Sequence, residues 1–382
     1  MAVKLDTLRF PPSSRRSFLQ LSAAVSAAAV FHPMTEAMLA GATERSFPQD
    51  AVMINLNENP LGPCEASRQA VANIAAQGGR YLTSVTAELV SAVAAAEGLK
   101  PEYIRAFAGS SDPLYFSVLA FTSPAKSYVM ADPGYEAGSR AAEFMGSRVV
   151  KVPLTKTFSH DVKAMAAVPD AGLIYLCNPN NPTGTMTAHS DIEYALANKP
   201  AGSVLMVDEA YLHFSDGESA LDLVKADKDV IVLRTFSKIY GMAGLRCGMA
   251  IARPDLLAKI TNYGGTAYIP ITAGVAAVAG LQEPQLVPQR KKINADTRSS
   301  VFEWLDRNGY AYTPSQANFF MIETHRPAKA VIDALAKQNV FIGRIWPSVP
   351  THVRVTVGTP AEMDIFRDAF AQVMSMPVPA SA

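Results

Sequence analysis

The chain has 382 residues, with 34 Lys and Arg balanced by 34 Asp and Glu, so its formal net charge is zero. That balance supplies no field to hold nucleic acid or an anionic membrane by bulk charge. Its three cysteines, Cys64, Cys177 and Cys247, form an odd, widely spaced set, which argues against a disulfide framework and against a metal-ligand cluster.

The first notable stretch is "SSRRSFLQLSAAVSAAAVFHP", residues 13 to 33. Arg15-Arg16, followed by Phe18 and Leu19, opens onto an alanine-rich apolar run that ends at Phe31, and small residues stand at Ala40-Gly41-Ala42. This pattern resembles a twin-arginine export signal. The apolar run is shorter than the roughly 20 residues of a membrane span, which fits a removable leader better. Residues 1–42 are therefore expected to be a signal peptide cut near Ala42, with a periplasmic destination. The other reading is an N-terminal helix with a chance arginine pair, in a protein that stays in the cytoplasm.

Without the leader, about 340 residues remain, enough for one large or two ordinary domains. Residues 43–80 are expected to form an N-terminal arm, with Val52 to Gln77 folding against the smaller domain. From Ala87 to Leu281, helical stretches alternate with short apolar runs at Ser127–Ala131, Leu173–Cys177, Val204–Val207 and Val230–Leu233. Such runs, bounded by polar loops, read as buried parallel strands. They predict a large α/β domain over 81–285 with a mainly parallel sheet. Ligands should meet it at the loops that follow those strands.

Beyond Pro284 the texture changes. "PQRKKINADTRSSVFEWLDRNGY" reads as one amphipathic helix stopped at Asn308-Gly309. Strand-like "FFMIE", a helix around Ala328–Gln338 and strand-like "HVRVTVG" follow, so 286–382 is expected to be a smaller α/β domain with a loose C-terminal tail. After the leader no apolar run is long enough to span a bilayer.

Lys238 lies in "TFSKIYGMAGLRCG", among Ser, Thr and Arg donors. A lysine so placed suits a Schiff base with an aldehyde cofactor, and the donors suit a phosphate. "CNPNNPTG" brings Asn181 into a tight loop after an apolar strand, and "VLMVDEAYLHF" puts Asp208 at a strand end with Tyr211 three residues on. Each has an ordinary alternative: a solvated lysine, a strand-ending turn, an acid that caps the next segment.

In order along the chain, "LNENPLGP", "AGSSDPL", "DPGYEAG", "NPNNPTG", "DEAY", "TFSKIYGMAGLRCG", "PSQANFF" and "VRVTVGT" resemble the fold-type I aminotransferases, and most closely the histidinol-phosphate aminotransferase group. The resemblance implies pyridoxal 5'-phosphate as cofactor, with Lys238 holding it and moving the substrate proton. Asp208 would pair with the pyridinium nitrogen, keeping the ring an electron sink. Asn181 and Tyr211 would hydrogen-bond its phenolic oxygen, and Tyr135 would stack on its face. Gly109, Ser110, Ser111, Thr235, Ser237 and Arg246 would hold the phosphate. Arg354 would clamp the substrate carboxylate, with Arg344 and Asn57 as further substrate contacts. Tyr81 would reach a partner's cofactor phosphate in a homodimer with shared active sites.

The implied reaction moves an amino group between an amino acid, or an amino-acid phosphate, and a 2-oxo acid. A decarboxylase of the phosphothreonine type and a cofactor-binding protein without turnover are the alternatives. Two positions depart from the family: Leu61 stands where an aromatic residue is common, and Leu82-Thr83 stand where Pro-Asp is usual. The leader also points away from cytoplasmic histidine synthesis and toward a route that carries folded, cofactor-loaded proteins.

Overall fold

The computed structural model describes residues 36–39, 47–264 and 268–377. The arginine pair, the apolar run of the leader and the cleavage point near Ala42 lie outside the described residues.

Eleven strands occur among the described residues: β1 (Val52–Ile54), β2 (Ile104–Phe107), β3 (Ser127–Asp132), β4 (Val149–Pro153), β5 (Ala171–Cys177), β6 (Val204–Asp208), β7 (Val230–Thr235), β8 (Gly248–Ala252), β9 (Phe319–Glu323), β10 (Val340–Ile342) and β11 (His352–Thr356). Seven make one sheet in the order β2-β8-β7-β6-β5-β3-β4. Every residue of β5, β6 and β7 is buried, because their continuous apolar sequences must be covered on both faces. The pairings from β4 through β7 are parallel, and the four apolar runs read from the sequence fall within β3, β5, β6 and β7.

The exception is β8, antiparallel to β7 and to β2. Two reversals restore the direction, so β2 runs with β5, β6 and β7. Their carboxyl ends therefore gather at one edge, where Asp208 ends β6 and the segments that follow β2, β5 and β7 carry Ser110, Asn181 and Lys238. This is the edge where open α/β sheets bind ligands.

A second hydrophobic core joins Phe320 and Ile322 of β9, Val353 and Val355 of β11, and Val301, Leu305, Phe366 and Phe370 of the surrounding helices. In it β9 and β11 pair antiparallel. The long helix predicted beyond Pro284 spans Leu286–Arg307 and stops as expected, with Gly309 in the left-handed region at φ 72°. The helix Pro360–Ser375 opens on a capping box between Thr359 and Glu362, a device worth about 1 kcal/mol.

The segment Val52 to Gln77 divides, which corrects the expectation that all of it folds with the smaller domain. Strand β1 pairs parallel with β10 and buries Val52 and Ile54 in the second core. The helix Glu65–Ile74 packs instead on the helix Ile271–Leu281, where the Ser67 hydroxyl donates to the Ala276 carbonyl at 2.7 Å. Alanine and glycine dominate the Ile271–Leu281 helix, and their small side chains admit a second helix at close range.

Candidate active site

A cavity of about 270 Å³ opens at the carboxyl edge of the large sheet. Its wall includes Ser110, Ser111, Tyr135, Asn181, Asp208, Tyr211, Thr235, Ser237, Lys238 and Arg246, ten residues singled out from sequence.

Asp208 ends β6, in register with Cys177 of β5, and only 4% of it is exposed. The Tyr175 hydroxyl donates to its Oδ2 at 2.9 Å and the Ala210 N–H to its Oδ1 at 3.1 Å. Burial nonetheless pushes its pKa up to about 6, against both donors. Among the described residues it has no ion-pair partner. A buried carboxylate in this state is suited to a cationic ring nitrogen.

Lys238 lies on the loop after β7. Its Nζ donates to the Leu56 carbonyl at 3.2 Å and stands 5.5 Å from the centre of the Tyr211 ring. Burial, more than any charge nearby, lowers its pKa to about 8, so a fraction of the amine is free and nucleophilic near neutral pH.

The other end of the cavity is rich in donors. Ser110 precedes the helix Ser111–Phe121 without capping it by its side chain, and first-turn N–H groups of a helix have no intrahelical acceptors. Arg246, held at φ 64°, donates from Nη1 to the Ala243 carbonyl at 3.0 Å and packs on Gly109 so closely that a Cβ at 109 would collide with its guanidinium. Thr235 and Ser237 are hydrogen-bonded to each other at 2.9 Å. These groups suit a phosphate dianion, and with Lys238 and Asp208 the residues present fit pyridoxal 5'-phosphate.

Not every expected residue reaches the wall. Asn57 is fully buried behind Tyr211: it donates from Nδ2 to the Tyr211 hydroxyl at 3.2 Å, while its N–H and Oδ1 both engage the Thr356 hydroxyl. Its side chain is occupied by protein partners, so it positions Tyr211, in place of the substrate contact expected. Gly109 acts through its close approach to Arg246. Tyr81 is 85% exposed, pairs with the Tyr268 ring at 6.4 Å, and does not enter this chain's cavity.

Arg354, on β11, is fully buried. It donates from Nη1 to Asn181 Oδ1 at 2.8 Å and from Nη2 to the Asn55 carbonyl at 2.6 Å and to Glu36 Oε1 at 2.7 Å. Arg344 pairs with Glu136 and lies over Trp346, its guanidinium carbon 4.3 Å from the ring centre. Sequence reasoning passed over Tyr175, Trp346 and Glu36. Tyr175 and Trp346 gave no signal beyond their apolar setting, and Glu36 fell inside the predicted leader.

The aminotransferase class I and II family matches residues 50–370. The chain belongs to that family. It is a pyridoxal-phosphate-dependent aminotransferase of fold-type I, and the decarboxylase and the binder without turnover give way to that finding. The aminotransferase is 32% identical over 335 residues to a histidinol-phosphate aminotransferase of Moorella thermoacetica, covering 86% of each chain. It is 31% identical over 334 residues to an aromatic amino acid aminotransferase of Cutibacterium acnes, covering 86% of this chain and 94% of that one. Among solved structures, the histidinol-phosphate aminotransferase of Sinorhizobium meliloti in complex with pyridoxal-5'-phosphate superposes with a TM-score of 0.79 at 25% identity, covering 92% and 96% of the two chains.

Proposed function

We propose that this aminotransferase moves the amino group of a carboxylate-bearing amino acid, or of an amino-acid phosphate, to a 2-oxo acid, as a homodimer exported by the twin-arginine route. The observation that carries the substrate reading is Arg354: a fully buried guanidinium, anchored on Asn181 and Asn55, whose Nη2 also donates to a carboxylate, that of Glu36. A forked cation fixed in this way is a carboxylate receptor.

When bound, the cofactor withdraws electrons from the bonds at the substrate Cα. The chain's own residues do the rest. Arg354 orients the substrate by its carboxylate. Lys238 Nζ, with its lowered pKa, takes the proton from Cα and returns it during transfer. Asp208 would hold a proton on the ring nitrogen. Tyr211, steadied by Asn57, and Asn181 would hold the phenolic oxygen, while Ser110, Ser111, Thr235, Ser237 and Arg246 would bind the phosphate.

The homodimer is supported by Tyr81 and Tyr268, aromatic rings set together on the surface outside their own cavity. Export is supported by Arg15-Arg16 and the apolar run behind them. The test of the substrate reading is a panel of amino donors, including glutamate, aromatic amino acids and histidinol phosphate, followed by the cofactor's absorbance change to its amine form. Amino acids should drive the conversion. Conversion by histidinol phosphate alone, which has no carboxylate, would reject Arg354 as the donor clamp. Replacing Arg15-Arg16 by Lys-Lys should retain the protein in the cytoplasm; undiminished export would reject the route.

A further inference from the structure

Glu36 holds the guanidinium that the proposed function assigns to a substrate carboxylate. It lies on a four-residue helix, Glu36–Leu39, outside both the large sheet and the second core. Its Oε1 accepts from Arg354 Nη2 at 2.7 Å and lies 3.5 Å from Arg344 Nε. Glu36 forms part of the cavity wall, whereas neither arginine does, so the cavity meets the Glu36 carboxylate and not the guanidinium bonded to it. The Arg354 side chain is wholly inaccessible and that of Glu36 is 12% exposed.

The pairing is incomplete in a specific way. Arg354 is a planar fork, able to hold a carboxylate through Nε and Nη2 together. Glu36 takes only Nη2. Arg354 Nε has no hydrogen-bond partner, and neither does the buried Glu36 Oε2. Buried polar atoms of permanent ion pairs are ordinarily saturated, because each unpaired one costs desolvation energy. A free carboxylate, unconstrained by a tether, can satisfy both donors where Glu36 satisfies one. Glu36 therefore occupies the receptor without fitting it fully, which is the geometry of an occupant that can be displaced.

Its place in the chain gives the occupancy a meaning. Glu36 lies six positions before Ala42, the expected end of the leader.

We propose that Glu36 is an internal competitor for the substrate-carboxylate site, which holds the uncut chain in a self-inhibited state until the segment before Ala42 is removed. The inference rests on reading Arg354 as the carboxylate clamp and residues 1–42 as a removable leader. Activation needs one covalent step, hydrolysis of a single peptide bond by a leader protease with water as co-reactant. A tethered group competes at an effective concentration on the order of millimolar, so it raises the apparent KM of free carboxylates. An enzyme that folds and loads its cofactor before export would in this way be kept from amino and oxo acids inside the cell.

The test uses full-length holoenzyme carrying Glu36→Gln, with KM measured for an amino acid and a 2-oxo acid. Calorimetric binding of maleate, a dicarboxylate with no amino or oxo group, to the cofactor-free protein gives a readout apart from turnover. Both KM values and the maleate Kd should fall roughly tenfold. Unchanged or raised values overturn the proposal. Should Glu36→Gln fail to fold, Glu36→Asp, whose shorter arm draws the carboxylate back from Arg354, should lower the same constants by a smaller factor, and no decrease overturns the proposal equally. Arg354→Ala is measured alongside. If it raises KM while Glu36→Gln lowers nothing, the clamp stands and the competitor falls; if Arg354→Ala leaves KM unchanged, the clamp reading itself fails. Finally, cutting the folded holoenzyme at a protease site inserted after Ala42 should lower KM in the native sequence and have no further effect in Glu36→Gln. A cut that changes nothing in the native sequence overturns the proposal.

Discussion

Arg354 and Asn181 meet across 173 residues of chain, with Nη1 donating to Oδ1 at 2.8 Å. The bond ties β11 to the loop after β5, and so joins the proposed carboxylate receptor to a residue expected beside the cofactor ring. Arg354→Lys keeps the charge but loses the fork, because one ammonium cannot serve Asn181, the Asn55 carbonyl and a ligand in the same plane. Loss of a charge-assisted hydrogen bond costs about 1.5 to 3 kcal/mol, or roughly tenfold to a hundredfold in KM for amino and oxo acids. Steady-state kinetics with both substrates checks this, and an unaltered KM would reject the receptor.

The cofactor end of the site was legible because its residues follow apolar strands that announce themselves, and local motifs fix where Asn181, Asp208 and Lys238 fall relative to those strands. Four of the seven strands of the sheet were legible for the same reason; β2 and β4 are only partly buried and were not read, and the buried run Gly248–Ala252 of β8 has the same pattern whichever way it points. What stayed hidden depends on tertiary approach. Asn57 finds Thr356 across 299 positions and Tyr211 across 154, and nothing local marks either partner. Glu36 was hidden differently: its neighbours read as leader, so its carboxylate drew no attention until Arg354 was seen beside it.

Lys238→Ala removes the group expected to hold the cofactor and to move the Cα proton. Turnover should fall by roughly 10²–10⁴, the range for a positioned acid–base group. Borohydride reduction followed by mass spectrometry separates this role from a structural one. The cofactor mass should remain on the native chain and be absent from the variant; a variant still labelled would sink the assignment.

Asp208 depends on Tyr175. Burial raises its pKa to about 6 and the Tyr175 hydroxyl opposes the rise, so Tyr175→Phe should drive the pKa higher. The carboxylate protonates as pH falls through its pKa, and only the charged form attracts a cationic ring nitrogen. Affinity of the cofactor-free protein for pyridoxal phosphate should therefore weaken below about pH 6, and in Tyr175→Phe the weakening should begin at a higher pH. Equilibrium dialysis across pH 5 to 8 reads both curves; coincident curves would remove Tyr175 from the site. Asp208→Asn, which has no charge at any pH, should bind weakly and lose the Asp208 step near pH 6, keeping only the pH dependence that Lys238 and the phosphate impose.

His160 offers a test of stability away from the cavity. It is 4% exposed, shares a 2.7 Å hydrogen bond between Nδ1 and the Thr187 hydroxyl, and burial lowers its pKa to about 4. An unfolded chain takes up a proton on this side chain as pH falls through about 6.5, whereas the folded chain refuses it until about 4. The stabilisation is thus complete above pH 6.5 and is lost progressively between 6.5 and 4, at a cost on the order of 3 kcal/mol. His213, whose pKa burial lowers to about 3, acts in the same direction, so the native protein should weaken on acidification by more than either residue explains. Urea midpoints at pH 7, 6 and 5 should fall in the native protein and fall less in His160→Asn, which keeps a polar group for Thr187 but cannot titrate. Equal slopes for the two proteins would show that His160 is protonated in the folded state or solvated through a path that its burial does not reveal.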